Sequence, residues 1–319
     1  MATTASSIAQ RPRPQLLLSD RGFNLLLLGA SAAVLALIAL IGVSLARGAA
    51  AGITHFGWRF LTGTTWDPVQ EDFGALPFIY GTLVSSLLAL FIAVPVGLGT
   101  AVFLAKLAPG WLARPMAFLV ELLAAVPSVV LGLWGIFVLA PIIQKLEAFV
   151  GQRWGEFPLF TGAPVGVGML AAGIILAIMI LPFIASIGRG AILAVPRAQA
   201  EAGYALGATR WETISGPILR YARKGILGGI VLALGRALGE TMAVTMVIGN
   251  TPRISVSLFE SGYTMSAVLA NEFAEATAPL HLSCLVEIAL VLLAVTILVN
   301  AMARLLIWGT AATAGGDGA

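Results

Sequence analysis

Long apolar runs dominate this chain, and they constrain its fold more than any motif does. Runs over about residues 23–46, 80–105, 115–143, 167–187, 225–250 and 282–306 are each long enough to cross a bilayer, which takes roughly 20 residues for about 30 Å of hydrocarbon. Backbone N–H and C=O groups find no water at that depth, so such a run crosses as a helix that bonds its own backbone. Composition agrees: 59% of the 319 residues are hydrophobic and 10% are charged, against about 25% charged in a soluble domain. The expected fold class is therefore all-α, a polytopic membrane helix bundle of six spans. The transmembrane domain occupies 21–308 in this reading, between flexible tails at 1–20 and 309–319. Arg21 ahead of the first run also fits a signal peptide cleaved near residues 49–51. The run is longer than the roughly 7–15 residues of a signal core, which favours a retained span.

Six spans put both termini on one side, and basic residues choose that side. With the termini inside, inner segments hold twelve of the 18 basic residues, among them Lys106, Arg114, Arg197, Arg210, Arg223 and Lys224. Outer segments hold five, namely Arg47, Arg59, Lys145, Arg153 and Arg253, and Arg236 falls within a run. The bias places both termini, and the loop 188–224, in the cytoplasm.

Several function classes drop out. No basic stripe with interleaved aromatics lies outside the membrane loops, so nucleic acid is not an expected partner. The single cysteine, Cys284, cannot form an intrachain disulfide. His55 and His281 lack ligand-spaced neighbours, so no metal site is expected. No catalytic constellation and no GxxxxGK[ST] phosphate loop is present, so ATP is not bound here by that route. A transporter of this kind draws its energy from a separate ATPase or from an ion gradient. The gradient reading, a secondary carrier or channel, often brings internal repeats, and none is visible.

Two charges interrupt the fifth run. Arg236 lies about mid-run and Glu240 follows four residues later, so on a continuous helix they share a face. Burying either alone costs roughly 2.5–3.5 kcal/mol on insertion scales, which mutual pairing offsets in part. Two readings stand: an ion pair that locks this helix to a neighbour, or a substrate pathway in which the guanidinium meets an oxyanion. Glu121 and Glu287 also fall within runs, near their ends, where snorkelling to the interface or a helix–helix hydrogen bond is expected.

The loop 188–224 reads as a short helix from Pro196, a glycine stop at Gly207, and a second helix start at Thr209 with Glu212 at capping-box spacing. Ala200, Glu201, Tyr204 and Ala205 lie at spacings that can share a face. That face suits a partner's groove, and equally a loop packed on its own bundle.

The run Glu201-Ala202-Gly203, with Gly207 four residues on, resembles the EAA loop of type I ABC-importer permeases. The resemblance implies that Glu201, Ala202, Gly203, Tyr204 and Gly207 form a coupling helix docking on an ATP-binding subunit. Two positions depart from the pattern: Gly203 stands where the family has a second alanine, and the downstream proline is Pro217 rather than near Arg220. Three further stretches are similar to permease subunits of phosphate-specific ABC importers: DFGALPFIYGTLVSS at 72–86, VPSVVLGLWG at 126–135 and LGRALGETMAVTMVIGN at 234–250. This narrower resemblance implies a type I ABC importer permease fold in a bacterial inner membrane. It implies Arg236 and Glu240 on the substrate pathway, a second homologous permease, two ATP-binding subunits and an extracytoplasmic phosphate-binding protein. No cofactor is expected in this chain, since ATP and Mg would sit on the ATPase. Importers of another oxyanion, sulfate or molybdate, remain the neighbouring alternative.

Overall fold

The computed structural model describes residues 20–154 and 157–312, with side chains described for 22–154 and 157–305. The expected N-terminal tail lies outside the described residues apart from Asp20, and of the expected C-terminal tail only 309–312 are described, as helix.

The fold is all-α except for one two-residue hairpin. In chain order come α1 (Asp20–Gly48), α2 (Ala50–Phe56), α3 (Arg59–Thr62), β1 (Trp66–Asp67), β2 (Asp72–Phe73), α4 (Leu76–Val102), α5 (Gly110–Ala124), α6 (Ser128–Trp134) and α7 (Ala140–Trp154). Then follow α8 (Met169–Leu193), α9 (Arg197–Ala205), α10 (Arg210–Thr213), α11 (Leu219–Gly239), α12 (Met242–Val247), α13 (Met265–Glu272) and α14 (Pro279–Ala312). β1 and β2 pair antiparallel, Trp66 opposite Phe73. The chain divides into two units, Met1–Ser44 and Leu45–Ala319. In the first, α1 is apolar along its described length and long enough to cross a bilayer.

Among the described residues, five helical stretches are long and apolar enough to span: Gly22–Gly48, Leu76–Leu107, Ser128–Trp154, Met169–Leu193 and Pro279–Leu305. The six continuous spans read from the sequence are thus corrected at two places. The run 115–143 is broken between Ala124 and Ser128, so α5 is a separate helix and α6, a π turn and α7 make the span. Pro127 accounts for the break, because a proline pushes the residue before it out of the α region. The run 225–250 is broken after Gly239, where Glu240 is extended (φ −71°, ψ 130°) and α12 starts afresh. Hydropathy measures how apolar a stretch is, and carries no information on whether its backbone stays helical.

α8 is the hub. It packs mainly against α4 and α11, and Ile175, Leu176, Ile180 and Ile184 are buried along it. Ala89 and Ala93 on α4 are fully buried in the same core, small residues that let helix backbones approach closely. Pro95 in α4 and Pro182 in α8 each remove one helical N–H within a membrane segment. The start of α8 has no side-chain cap. Its first N–H groups go instead to carbonyls at the end of α12 and in the loop after it: Gly168 to Val247 (2.9 Å), Met169 to Glu260 (3.0 Å) and Leu170 to Leu258 (2.8 Å). A helix end leaves about four N–H groups unpartnered, and here a folded-back chain satisfies them.

α4 connects two ends of the bundle. Its start lies beside the hairpin, where Ala75 N–H meets the Phe60 carbonyl at 2.7 Å. It ends in a π turn at Phe103–Leu107, where the Arg210 guanidinium donates to the Lys106 carbonyl. At 1.5 Å per residue, those ends are roughly 45 Å apart. Near the hairpin end Gly81 sits against the Tyr263 backbone: a Cβ built there would lie 2.1 Å from the Tyr263 carbonyl oxygen. Backbone cannot yield as a side chain can. Gly81→Ala should therefore destabilise the protein by at least the upper end of the ~1–3 kcal/mol typical of overpacking. Thermal unfolding of detergent-solubilised protein would read this as a lowered midpoint or a loss of folded yield.

Candidate functional site

The break after α11 is the first candidate. Arg236 stands one turn before it, exposed, with Cζ 5.0 Å from the Phe183 ring centroid on α8. A cation over an aromatic face is held by the ring quadrupole. Glu240 does not continue the helix, so the face it would share with Arg236 on an unbroken helix does not exist. No ion pair joins the two among the described residues, and the buried pair read from their spacing is corrected to two separately placed charges. The helix ends between them, and the i, i+4 relation holds only where both residues are helical. Both remain open to the surroundings, Glu240 partly and Arg236 more so.

The backbone around Glu240 is bonded piece by piece. Its carbonyl accepts the Ser266 hydroxyl at 2.7 Å. The Thr245 hydroxyl donates to the Thr241 carbonyl at 2.8 Å, and Asn250 Nδ2 to the Thr245 carbonyl at 2.9 Å. Asn250 itself is left-handed, with φ 52°. A parallel bridge then joins Gly249 to Gly262, with Gly262 N–H on the Ile248 carbonyl (3.0 Å) and Thr251 N–H on the Gly262 carbonyl (3.1 Å).

The loop between α8 and α11 is the second candidate. α9 carries no buried residue. Glu201, Ala202, Tyr204 and Gly207 are exposed, and so are Leu206 (89%) and Trp211 (65%). Gly207 adopts φ +81°, the left-handed stop that glycine takes without strain. The capping box forms: Thr209 N–H and its hydroxyl both reach Glu212 Oε2, at 2.7 and 2.8 Å, and Glu212 N–H returns to Thr209 Oγ1 at 3.3 Å. These bonds to Thr209, backbone first, hold the Glu212 carboxyl below the usual range. Gly203 faces the next turn: a Cβ there would lie 3.1–3.2 Å from the Thr213 side chain and 3.5 Å from Pro217. That close approach leaves little room for a side chain at this position. Behind the loop Ile214, Ile218 and Ala222 pack into a core with Ala101, Val102 and Ile192, and Ala200 of α9 leans on that core while the rest of α9 is largely exposed.

Other sequence expectations resolve differently. Glu121 is exposed. Glu287 neither snorkels nor finds a helix–helix hydrogen bond: it is 6% exposed, and its Oε2 has no partner among the described residues. It points under α2, where a Cβ on Gly52 would lie 2.5 Å from that oxygen. Helical spacing does not report α2, which folds back over α14. Cys284 is buried beside it.

One polar cluster had no signature in the sequence. Glu272 accepts Trp66 Nε1 at 2.9 Å and the Tyr263 hydroxyl at 3.4 Å, and lies 3.3 Å from His281 Nε2. His281 stacks on Phe73, centroids 5.3 Å apart. Burial, with Glu272 adjacent, pushes the Tyr263 hydroxyl up to about 12. The partners come from the hairpin, α13 and α14, which no linear spacing links.

Residues 93–308 match the family model described as the binding-protein-dependent transport system inner membrane component. The chain is 47% identical to the phosphate transport system permease protein PstC of Mesorhizobium japonicum, over 90% of this chain and 89% of that one. It is 45% identical to PstC of Pasteurella multocida, covering 86% and 87%, and 39% identical to PstC 2 of Mycobacterium tuberculosis, covering 91% and 93%. Among solved structures, a chain of the MetNI methionine ABC transporter in an inward-facing conformation aligns with TM-score 0.56 at 17% identity, covering 77% of this chain and 99% of that one. With its apolar spans, broken helix and exposed helical loop, the chain belongs to the family of binding-protein-dependent transport system inner membrane components, and it has the type I ABC importer permease fold.

Proposed function

We propose that this chain is the permease subunit of an ATP-driven phosphate importer and forms half of its translocation pathway. The observation that carries the reading is the likeness, over nine-tenths of the chain, to several proteins named phosphate transport system permease PstC. A second, homologous permease supplies the other half. Two ATP-binding subunits and an extracytoplasmic phosphate-binding protein complete the assembly, and ATP is hydrolysed on the ATP-binding subunits. Lys106, Arg114, Arg189, Arg197, Arg210, Arg220, Arg223 and Lys224 gather near the end of the bundle that carries α9. That end is cytoplasmic in this reading, together with both termini.

Docking falls to Glu201, Ala202, Gly203, Tyr204 and Gly207, with the exposed Leu206 and Trp211 as apolar anchors. Movement of α9 passes through the Gly203–Thr213 contact into α10 and α11. α11 is one unbroken helix from Leu219 to Gly239, so a push at its start is felt at Arg236, about 25 Å along. There the guanidinium offers paired donors that match two phosphate oxygens at once. Glu240, on extended backbone just beyond, repels a second anion. The exposed flank of Arg236 is the face the other permease would cover.

Four measurements test this. Arg236→Gln should lower phosphate uptake by at least about 100-fold, or ~2.7 kcal/mol in the rate-limiting barrier, while the complex still assembles; uptake at the wild-type rate rejects the pathway role. Gly207→Leu places a branched side chain at φ +81°, costing about 1–2 kcal/mol locally, and should detach or uncouple the ATPase in pull-down and uptake assays. In vesicles that keep a proton gradient but lack ATP, phosphate uptake should cease; continued uptake marks an ion-gradient carrier. Equal uptake of sulfate or molybdate would move the assignment to another oxyanion.

A further inference from the structure

The stretch from Glu240 to Thr251 is clamped at both ends by one short segment, residues 262–266. At its start, the Ser266 hydroxyl donates to the Glu240 carbonyl at 2.7 Å. At its end, Gly262 bonds both ways, its N–H to the Ile248 carbonyl and its carbonyl to the Thr251 N–H. Gly249, at φ +94°, admits this approach: a Cβ there would lie 2.3 Å from Ser261 Oγ. The clamp is itself fixed. Met265 N–H donates to Thr82 Oγ1 on α4 at 2.9 Å, and the Thr264 side chain caps α13 through Ala267 N–H at 3.2 Å. At the other end of α13, Glu272 takes the Trp66 indole N–H and faces His281 on α14. α13 is thus held to the hairpin, α4 and α14, and from that frame one hydroxyl reaches the break.

That hydroxyl matters because of what Glu240 lacks. Its residue is extended between two helices, so its carbonyl has no place in either helical ladder. Ser266 is 5% exposed, so its hydroxyl is largely shielded from solvent. With the bond made, the Glu240 backbone is tied to α13, which packs on α4 and α14, the same two helices that α11 packs on. With the bond lost, the carbonyl is unpaired and the residue can turn about the break.

We propose that Ser266 is a positioning residue for Glu240, and that α13 is the strut by which the hairpin end of the protein holds that carboxylate at the broken helix. The inference rests on the pathway role given to Glu240 above. It predicts that substrate passage, and not assembly, depends on a hydroxyl that never touches the substrate.

The test uses the whole importer in vesicles, with inorganic phosphate as probe, and four chains: wild type, Ser266→Ala, Glu240→Gln and the double variant. Ser266→Ala should lower the maximal uptake rate about tenfold, the weight of one buried hydrogen bond, with the half-saturating concentration unchanged. Ser266→Thr, which keeps the hydroxyl, should restore it. The double variant should be no slower than Glu240→Gln alone, since Ser266 acts through that carboxylate. Wild-type uptake in Ser266→Ala beside an impaired Glu240→Gln overturns the inference and leaves the pathway reading standing. A double variant slowed by the product of the two single effects also overturns it, because Ser266 then acts elsewhere. Wild-type uptake in Glu240→Gln removes the pathway role and this inference with it. Should Ser266→Ala fail to assemble, Ser266→Cys replaces it as a near-isosteric, far weaker donor, and wild-type uptake there overturns the proposal.

Discussion

Every polar backbone group that leaves a helix in this protein must be bonded by another part of the chain. Lipid offers no donor or acceptor, and an unpaired group there costs several kcal/mol. The break at Glu240 is possible only because the chain returns past it. Ser266 supplies a donor to the Glu240 carbonyl, and Gly262 supplies both a donor and an acceptor to the far side of α12. The start of α8 follows the same rule, its first N–H groups met by Val247, Glu260 and Leu258 rather than by a cap. The segment 247–266 is therefore scaffolding as much as connection. It completes two helix ends that the membrane helices cannot complete alone.

α8 converts that scaffolding into a rigid centre. Packed on α4 and α11, it carries the largest share of buried apolar side chains and also presents Phe183 to Arg236. A core of this density resists gradual deformation and moves in whole elements. The loop at the other end differs. α10 and α11 rest on Ile214, Ile218 and Ala222, whereas α9 has no fully buried residue and leans on the core through Ala200 alone. It presents an exposed tyrosine, with an exposed leucine and tryptophan just after it. α9 meets the bundle through Ala200 on that core and through the approach of Gly203 to Thr213.

Local chemistry was well legible. Gly207 reads as a helix stop because only glycine takes φ +81° without strain, and Thr209 with Glu212 reads as a cap because their spacing brings each to the other's N–H. Membrane-length helices over 23–46, 80–105, 167–187 and 282–306 were legible from apolarity. The breaks at Pro127 and Glu240 were hidden within apolar runs, one behind a proline that elsewhere, at Pro95 and Pro182, leaves the helix intact. The same residue type gives both outcomes, and neighbours decide which. Arg236 and Glu240 were visible as charges out of place, while their separation was not.

What the sequence alone determined is what this chain can be made of. Apolar length dictates membrane helices, glycine and capping residues dictate the turns of the α9–α10 loop, and charge excess marks one end. These are local properties, each set by a residue and its near neighbours. Only the tertiary structure decided that Glu287 lies buried under α2, that Glu272 gathers Trp66, Tyr263 and His281, and that Ser266 reaches the Glu240 carbonyl 26 residues away. Those contacts join elements distant in sequence, and their partners are chosen by how helices pack in three dimensions, a choice no linear pattern records.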